Sequence, residues 1–483
     1  MVRSSRARRI LLPQFILHEV SDEGEPGVTL VADALTPYYR RPKYISSEER
    51  RRDGKPGWVR FEFNLFPIVL DKWGIPWGEA MVYLISRLEG KANPSMATFS
   101  SIADDLTAYR HFLDENQIDW TDFSGVKLKR PTYRFNGHLK YRVGAGEMAV
   151  ATAKRRMSAV VAFYRWLETE DIFKPEASPW VEKDAYINYA DSRGLRRHKI
   201  VKSTDLSIGV AKQDDPYSGT IDDGGKLRPL LRQEQDWLID ALMSIGNTEM
   251  TLIHLCALLT GARIQTVLTL RVRNTFLEVP KKQETEVRVP VGYGTGVDTK
   301  FNKQMSLLFP QYLYQRLRTY VKSDRARIRR EKAIGGDSDD QYLFLSHRGT
   351  PLYRCKEQSN EFDAENSLRH AKQGQAVRQF IRERVIPLVQ SMHDAKDFNY
   401  RYHDLRATAG MNWSDDQLKL VAEGKISLQD ARNYVSVRLG HDSWEVTDRY
   451  LQFRHRAEQV RWAERRHEDH LRQLCERALS EGV

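Results

Sequence analysis

Ten residues, Met250 to Leu259, read MTLIHLCALL, and only Thr251 and His254 among them are polar. A helix that is apolar on nearly every side has no face to give to water, so it must be buried inside a core. Thr260 and Gly261 break it, and ARIQTVLTL begins another helix at once. RPLLRQEQDWLIDALMSI, just upstream, is an amphipathic helix with Pro229 near its start. Strands come next. ETEVRVPV alternates as a half-buried strand does, and MSLLFP is a short apolar run. The glycine-rich GYGTGVDTKFNKQ joins them as a flexible hairpin tip. YLFLSHRGTPLY is another apolar run with a glycine turn, and from Ala376 the chain is mostly helical. These patterns predict a mainly α domain with a small antiparallel β-sheet, an α+β fold, beginning near Leu227.

A chain of 483 residues exceeds one hydrophobic core. In SIADDLTAYRHFLDENQIDW the set Ile102, Leu106, Tyr109, Phe112, Leu113 follows helical spacing. In TAKRRMSAVVAFYRWLETEDIF the set is Met157, Val160, Val161, Tyr164, Leu167, and the opposite side carries Lys154, Arg155, Arg156 and Arg165. An apolar stripe backed by a basic face describes a small helical bundle with a cationic surface, spanning 74–187. From 188 to 226 the periodicity fades. RGLRRHKIVKS is basic and DDPYSGTIDDGGK is turn-rich, which reads as a linker. Residues 1–73 form a basic and aromatic extension, with Arg3, Arg6, Arg8, Arg9 and the stretch YYRRPKY, suited to accessory contacts with DNA or protein. The domain that begins at 227 is expected to run to 463. Residues 464–483 read as a charged helical tail with Leu471, Leu474 and Leu479, either self-packing or docking on a neighbouring protomer.

Lys plus Arg number 76 against 65 Asp plus Glu, a net charge of +11 that favours a polyanionic partner, nucleic acid first. The three cysteines, Cys256, Cys355 and Cys475, are far apart with no CxxC, which argues against a zinc site or disulfide framework and for a reducing compartment. No apolar run approaches the ~18 residues of a membrane span. The basic N-terminus lacks the long apolar region of a signal peptide, so a cytoplasmic protein is expected.

Four pieces carry side chains suited to phosphoryl chemistry. In LLTGARIQTVLTL, Arg263 follows a glycine turn, where a fixed guanidinium fork grips an anion. In YHDLRATAG, His403 and Arg406 are three apart and share a helix face, an imidazole beside an anion-binding group. The hairpin tip offers Lys300 and Lys303, either able to reach over a phosphate and protonate a leaving oxygen. In LGHDSWEVTDRYLQF, His441 is followed by Tyr450 nine positions on. Each piece alone is matched by ordinary surface or core residues.

In order, these pieces resemble the tyrosine recombinase (phage integrase) family: TGARIQTVLTL, YHDLRATAG and LGHDSWEVTDRY are similar to its three signature boxes. The motif resemblance covers about 227–455, and the helical region 74–187 looks like the family's core-binding domain. It implies a site-specific DNA recombinase that joins Tyr450 to DNA through a 3′-phosphotyrosyl link. Arg263 and Arg406 would clamp the phosphate oxygens, Lys300 would protonate the 5′-hydroxyl, His403 would accept the tyrosine proton and His441 would hydrogen-bond the phosphate. DTKFNKQMSLLFP fits the family's hairpin better with Lys300 than with Lys303. The resemblance implies no cofactor or metal. The partners it implies are double-stranded DNA bearing specific recombination sites, a homo-tetramer on that DNA, and accessory DNA-bending or directionality proteins; the location is the cytoplasm, at the nucleoid. It points to integration or excision of a mobile element. The family often has an acidic residue three positions after its first arginine; here that position is Thr266, which puts support from that side in doubt. The same chemistry would serve a type-IB topoisomerase or telomere resolvase, and a non-catalytic sequence-specific DNA-binding protein is the alternative from another class.

Overall fold

The computed structural model describes residues 6–13, 15–16, 43–45, 57–59, 62–88, 94–190, 196–209, 219–277, 285–356, 373–453 and 472. YYRRPKY falls almost wholly outside them, and so do Cys475 and the leucines of the 464–483 tail. The described residues fall into two compact units, one within Met1–Lys212 and Lys356–Ala371 and the other within Gln213–Cys355 and Lys372–Val483. Among the described residues no helix is long and apolar enough to cross a membrane.

The first unit opens with nested antiparallel pairs. Strand β1 (Arg8–Leu12) and β2 (Phe15–Ile16) run out, β3 (Lys43–Ile45) turns to β4 (Gly57–Val59), and β5 (Glu62–Phe63) and β6 (Phe66–Leu70) return alongside. Arg8 faces Leu70 and Leu12 faces Phe66. Four helices follow: α1 (Gly78–Ser86), α2 (Met96–Asn116), α3 (Pro131–Gly144) and α4 (Val150–Thr169). The stripes expected on α2 and α4 are their buried sides, with Leu106, Tyr109, Met157, Val160 and Tyr164 all in one core. Two tyrosine hydroxyls lie inside it. Tyr164 donates to the Trp120 carbonyl at 2.6 Å, and Tyr109 supplies the proton of the 2.8 Å bond between them, so neither is orphaned. Part of the basic face of α4 is used internally: Arg155 donates to Asp105 and to Ser101 Oγ, both at 2.6 Å.

Within the stretch read as a linker, the chain is paired. Strand β7 (Glu182–Ala190) runs antiparallel to β8 (Arg196–Thr204), with Glu182 opposite Thr204 and Ala190 opposite Arg196. Basic RRHKIVKST has no apolar alternation to announce a strand; the main-chain ladder holds it. Asp205 ties the foot of this hairpin, accepting from Tyr133 Oη at 2.8 Å and from the Val181 N–H at 2.9 Å.

The second unit begins with a short hairpin, β9 (Ile221–Asp222) and β10 (Lys226–Leu227), also inside the expected linker. Helix α5 (Arg232–Ile245) leads to α6 (Thr248–Thr260), the segment MTLIHLCALL, whose Leu252, Ile253, Cys256 and Ala257 sit in the main core. Both polar residues of MTLIHLCALL have a place. His254 bonds the Met250 carbonyl through Nδ1 at 2.6 Å and Tyr400 Oη through Nε2 at 3.0 Å, and Thr251 lies at the start of the helix. Helix α7 (Ile264–Leu268) follows Gly261, whose φ of +64° ends α6. Strands β11 (Glu286–Val291) and β12 (Met305–Pro310) pair with Val287 facing Phe309 and Val291 facing Met305. Helices α8 (Gln311–Lys322) and α9 (Asp324–Glu331) lead away. Further on, α10 (Gln375–Phe380) passes through a π turn into α11 (Ile386–Met392). Then come α12 (Asp404–Ala422), α13 (Leu428–Leu439) and a helical segment over 444–453. The fold is mainly α with small antiparallel sheets.

Glu249 shows what anchors α8 and α9 to α6. Its carboxylate, nearly inaccessible to water, takes two 2.7 Å bonds from Arg325, a 3.0 Å ion pair with Arg329 and the Tyr320 hydroxyl at 3.2 Å. Removing one partner of a buried pair leaves the other charge uncompensated. Glu249→Ala should therefore cost about 3 kcal/mol of unfolding free energy, read from the urea midpoint of the second unit. Arg325→Ala should cost less, since Arg329 remains and Arg325 is half exposed.

Candidate active site

The site is assembled from the ends of helices. Arg406 lies in the first turn of α12 and is 2% exposed. Its Nη1 donates to the Gly261 carbonyl at 2.9 Å and its Nη2 to the Leu439 carbonyl at 2.7 Å. These are the C-terminal ends of α6 and α13, where carbonyls have no partner within the helix and carry the negative end of its dipole. A guanidinium satisfies both. Its remaining Nε donates to Asp223 Oδ2 at 2.9 Å.

Arg263 is the residue before α7, in extended backbone, and its Nη2 lies 3.7 Å from Asp223 Oδ1. His441 follows Gly440, which ends α13 at φ +63°. Its Nε2–H points to Asp223 Oδ2 at 3.3 Å and its Nδ1 accepts from the buried Thr447 hydroxyl at 2.9 Å, a pairing that fits one neutral tautomer. Tyr450, fully buried on the 444–453 helix, donates its hydroxyl to the same Oδ2 at 3.0 Å. Its ring rests on Gly410 of α12: a Cβ there would stand 2.5 Å from Tyr450 Cε1. His403 sits at the N-terminus of α12, next to Asp404, whose oxygens accept from the Arg228 and Arg401 N–H groups at 3.1 and 2.7 Å.

The two lysines are placed differently. Lys303 bonds the Gly440 carbonyl at 3.0 Å and the Asp442 carboxylate, so it ties the β11–β12 hairpin to the turn before His441. Lys300 lies against the other hairpin, its Nζ 3.0 Å from where a Cβ on Gly224 would be. The tip between them bends at Phe301 and Asn302, both at positive φ, and Phe301 is exposed.

Asp223 is the group that sequence reasoning passed over. It stands at the β9–β10 turn, where its N–H bonds the Gly225 carbonyl at 3.0 Å. Its legible trace is TIDDGGKL, an acidic pair and a glycine pair between two apolar residues, which marks a turn without saying where the turn points. Thr266, at the position that the family often makes acidic, is buried, and the acidic group at this centre comes from the hairpin instead.

The charges act on one another. Burial pushes the Asp223 carboxyl up, but the hydrogen bond from His441 and the charge of Arg406 outweigh it and hold the group far below the carboxylate range. Burial, then the charges of Arg406 and Arg263, bring His403 down to about 4. Burial also lowers His441, against the pull of Asp223. Burial and the neighbouring Arg406 bring Arg263 to about 10. Burial and the Asp223 charge push the Tyr450 hydroxyl well above its ordinary value. At neutral pH the centre thus holds two guanidiniums, one carboxylate, two neutral imidazoles and a protonated tyrosine.

No protein-family model matches the chain, and no curated protein matches it. Among solved structures, the chain is similar to a lambda integrase fragment captured as a dimer on a COC′ core site, at 12% identity and TM-score 0.43, over 78% of this chain and 95% of that one. It is similar to a Tn1549 transposon integrase fragment in complex with transposon right end DNA, at 13% identity and TM-score 0.42, over 80% and 99%. A third is a lambda integrase tetramer bound to a Holliday junction, at 12% identity and TM-score 0.40, over 77% and 76%.

The histidines make this unit acid-sensitive. Both have folded values below the ordinary 6.5, so their contribution to stability is full above pH 6.5 and is lost as pH falls through the folded value, about 4 for His403. An NMR titration should place the His403 midpoint near 4, with the stability of the unit declining between pH 6.5 and 4. A midpoint near 6.5 would contradict the burial and charge argument.

Proposed function

We propose that this chain is a tyrosine site-specific DNA recombinase that cuts and rejoins DNA through a 3′-phosphotyrosyl intermediate. One observation carries the reading: a tyrosine hydroxyl, two guanidiniums and a histidine converge on a single anion, Asp223. That is the donor set a nucleophilic attack on a phosphodiester needs. The ordered motif boxes support it independently.

In this mechanism the Tyr450 oxygen attacks phosphorus, the Tyr–O–P bond forms and the bond to the 5′-oxygen breaks. The tyrosine proton passes to His403, which is uncharged at neutral pH. Lys300 delivers a proton to the departing 5′-oxygen, with Lys303 engaged by Gly440 and Asp442. Arg263, Arg406 and His441 stabilise the charge that grows on the non-bridging oxygens. Attack by a second 5′-hydroxyl reverses the step and exchanges strands. We assign the partner as duplex DNA with defined sites, the assembly as a tetramer on two duplexes, and the task as integrating or excising a mobile element at the nucleoid, with accessory DNA-bending proteins setting direction.

Nicked duplexes with a randomised centre test the reaction without knowledge of the site. Wild type should trap a covalent protein–DNA adduct whose recovered DNA shares a sequence, and Tyr450→Phe should trap none. Failure of wild type, or an adduct with Tyr450→Phe, would sink the nucleophile assignment. A monomer that relaxes supercoils without sequence preference would instead be a topoisomerase.

Lys300→Ala should slow adduct formation by about 100-fold. A substrate with sulfur at the bridging 5′ position needs no acid, so it should restore that variant and leave Arg406→Ala inactive. If Lys303→Ala behaves this way in place of Lys300→Ala, the lysine assignment reverses. Gly410→Ala must displace the Tyr450 ring and should also cost about 100-fold.

A further inference from the structure

Of the four groups that the proposed reaction aims at a phosphate, three hydrogen-bond one side chain and the fourth, Arg263, is ion-paired with it. Asp223 Oδ2 receives Arg406 Nε at 2.9 Å, the Tyr450 hydroxyl at 3.0 Å and His441 Nε2 at 3.3 Å. Its Oδ1 lies 3.7 Å from Arg263 Nη2. A carboxylate offers two anionic oxygens to a guanidinium much as two non-bridging phosphate oxygens do. The attacking oxygen itself points at this anion, so the carboxylate occupies the electrophile's place and not a supporting position behind the arginines. A phosphodiester that takes these donors therefore takes them from the carboxylate.

We propose that Asp223 is a built-in stand-in for the scissile phosphate, which keeps the centre assembled without DNA and leaves as a phosphodiester enters. The proposal rests on the reading of this centre as a phosphodiester site.

The hairpin is built for such an exchange. Its feet, Ile221 and Leu227, are buried in the same apolar cluster as Tyr450, Met411 and Leu439. Its strands are held from outside, where Arg449 donates to the Asp222 carbonyl at 2.7 Å and Arg401 to the Lys226 carbonyl. Only the tip between them carries the carboxylate, and it continues into Gly224 at φ +69° and Gly225 at φ +148°, backbone that glycine adopts without strain. The tip can therefore pivot on fixed feet. Lys300 Nζ stands against Gly224, so the movement that vacates the phosphate place also uncovers the lysine.

The effect is selective. A competitor that occupies the site lowers apparent affinity by the fraction of molecules in which it is displaced. A phosphate that brings only its charge meets that full cost. A duplex engaging many basic side chains at once has binding energy to spare for it. Asp223 thus reserves the nucleophile for fully engaged DNA.

Calorimetry with inorganic phosphate on the full chain tests the exchange. Asp223→Ala and the isosteric Asp223→Asn should bind phosphate at least about tenfold tighter than wild type, and adding Arg406→Ala should abolish the gain. If both single variants bind phosphate no better than wild type, or if both lose the folded state, Asp223 is a structural support and the proposal is overturned. A second arm uses the DNA recovered from the randomised pool, below saturation, where Asp223→Ala should form adduct at least about tenfold faster than wild type. An unchanged or slower rate also overturns the proposal. If no variant forms adduct but the Arg406-dependent gain in phosphate binding is present, the stand-in holds and the recombinase reading is what fails.

Discussion

The buried guanidinium of Arg406 is the interaction on which the rest of the second unit's centre depends. A charge with so little access to water persists only with close acceptors and a counter-charge. Two of its nitrogens take the terminal carbonyls of α6 and α13, and the third takes Asp223. This single side chain therefore ties together the glycine-terminated ends of α6 and α13 and the β9–β10 hairpin. Arg263 comes two residues after Gly261, and His441 two residues after Leu439. The elements that carry them are positioned because Arg406 holds the carbonyls beside them.

The same arrangement sets protonation. Burial, then the charges of Arg406 and Arg263, keep His403 uncharged at neutral pH, and burial does the same for His441. A neutral imidazole can take a proton; a charged one cannot. In the proposed reaction the centre combines fixed positive charge for an anion with an imidazole assigned to accept the Tyr450 proton. Tyr450 itself needs help to ionise, because burial and Asp223 both resist it. In the proposed reaction a phosphodiester replaces the carboxylate, and the resistance that comes from Asp223 leaves with it.

Much of this was legible in the sequence, and the gaps have a physical cause. The helical stripes of α2 and α4, the buried α6 and the β11–β12 pair follow from hydropathy, since packing against a core selects residues with a period. Arg263, Arg406, His441 and Tyr450 are brought together around one point, and each was visible by its residue type and local motif. His403 sits at the same helix start, but the Tyr450 hydroxyl bonds Asp223 and not His403. Lys300 and Lys303 were indistinguishable in sequence because their difference is a long-range one, Lys303 reaching Gly440 and Asp442 across the unit. The β7–β8 and β9–β10 hairpins left little pattern. The first is rich in basic residues along its second strand, and the second is so short that two apolar residues anchor it. Asp223 was hidden for the same reason: its importance lies in contacts more than 180 residues away in the chain.

That carboxylate serves two opposed requirements. Without an anion, Arg263 and Arg406 would face each other in a buried pocket, and their mutual repulsion already weakens the proton affinity of Arg263. Such a pocket would admit water or let an arginine drift until another anion entered and drew the two back. Preorganised donors are worth most when they need not be reassembled at the moment of reaction. Holding them in place requires a counter-charge, and a counter-charge in the right place is by construction a competitor of the substrate. Asp223, on a short hairpin with buried feet and a glycine tip, makes the competitor removable. Exchange of one anion for another keeps the guanidiniums paired throughout, so the cost of entry is the difference between two anions and not the cost of building the site.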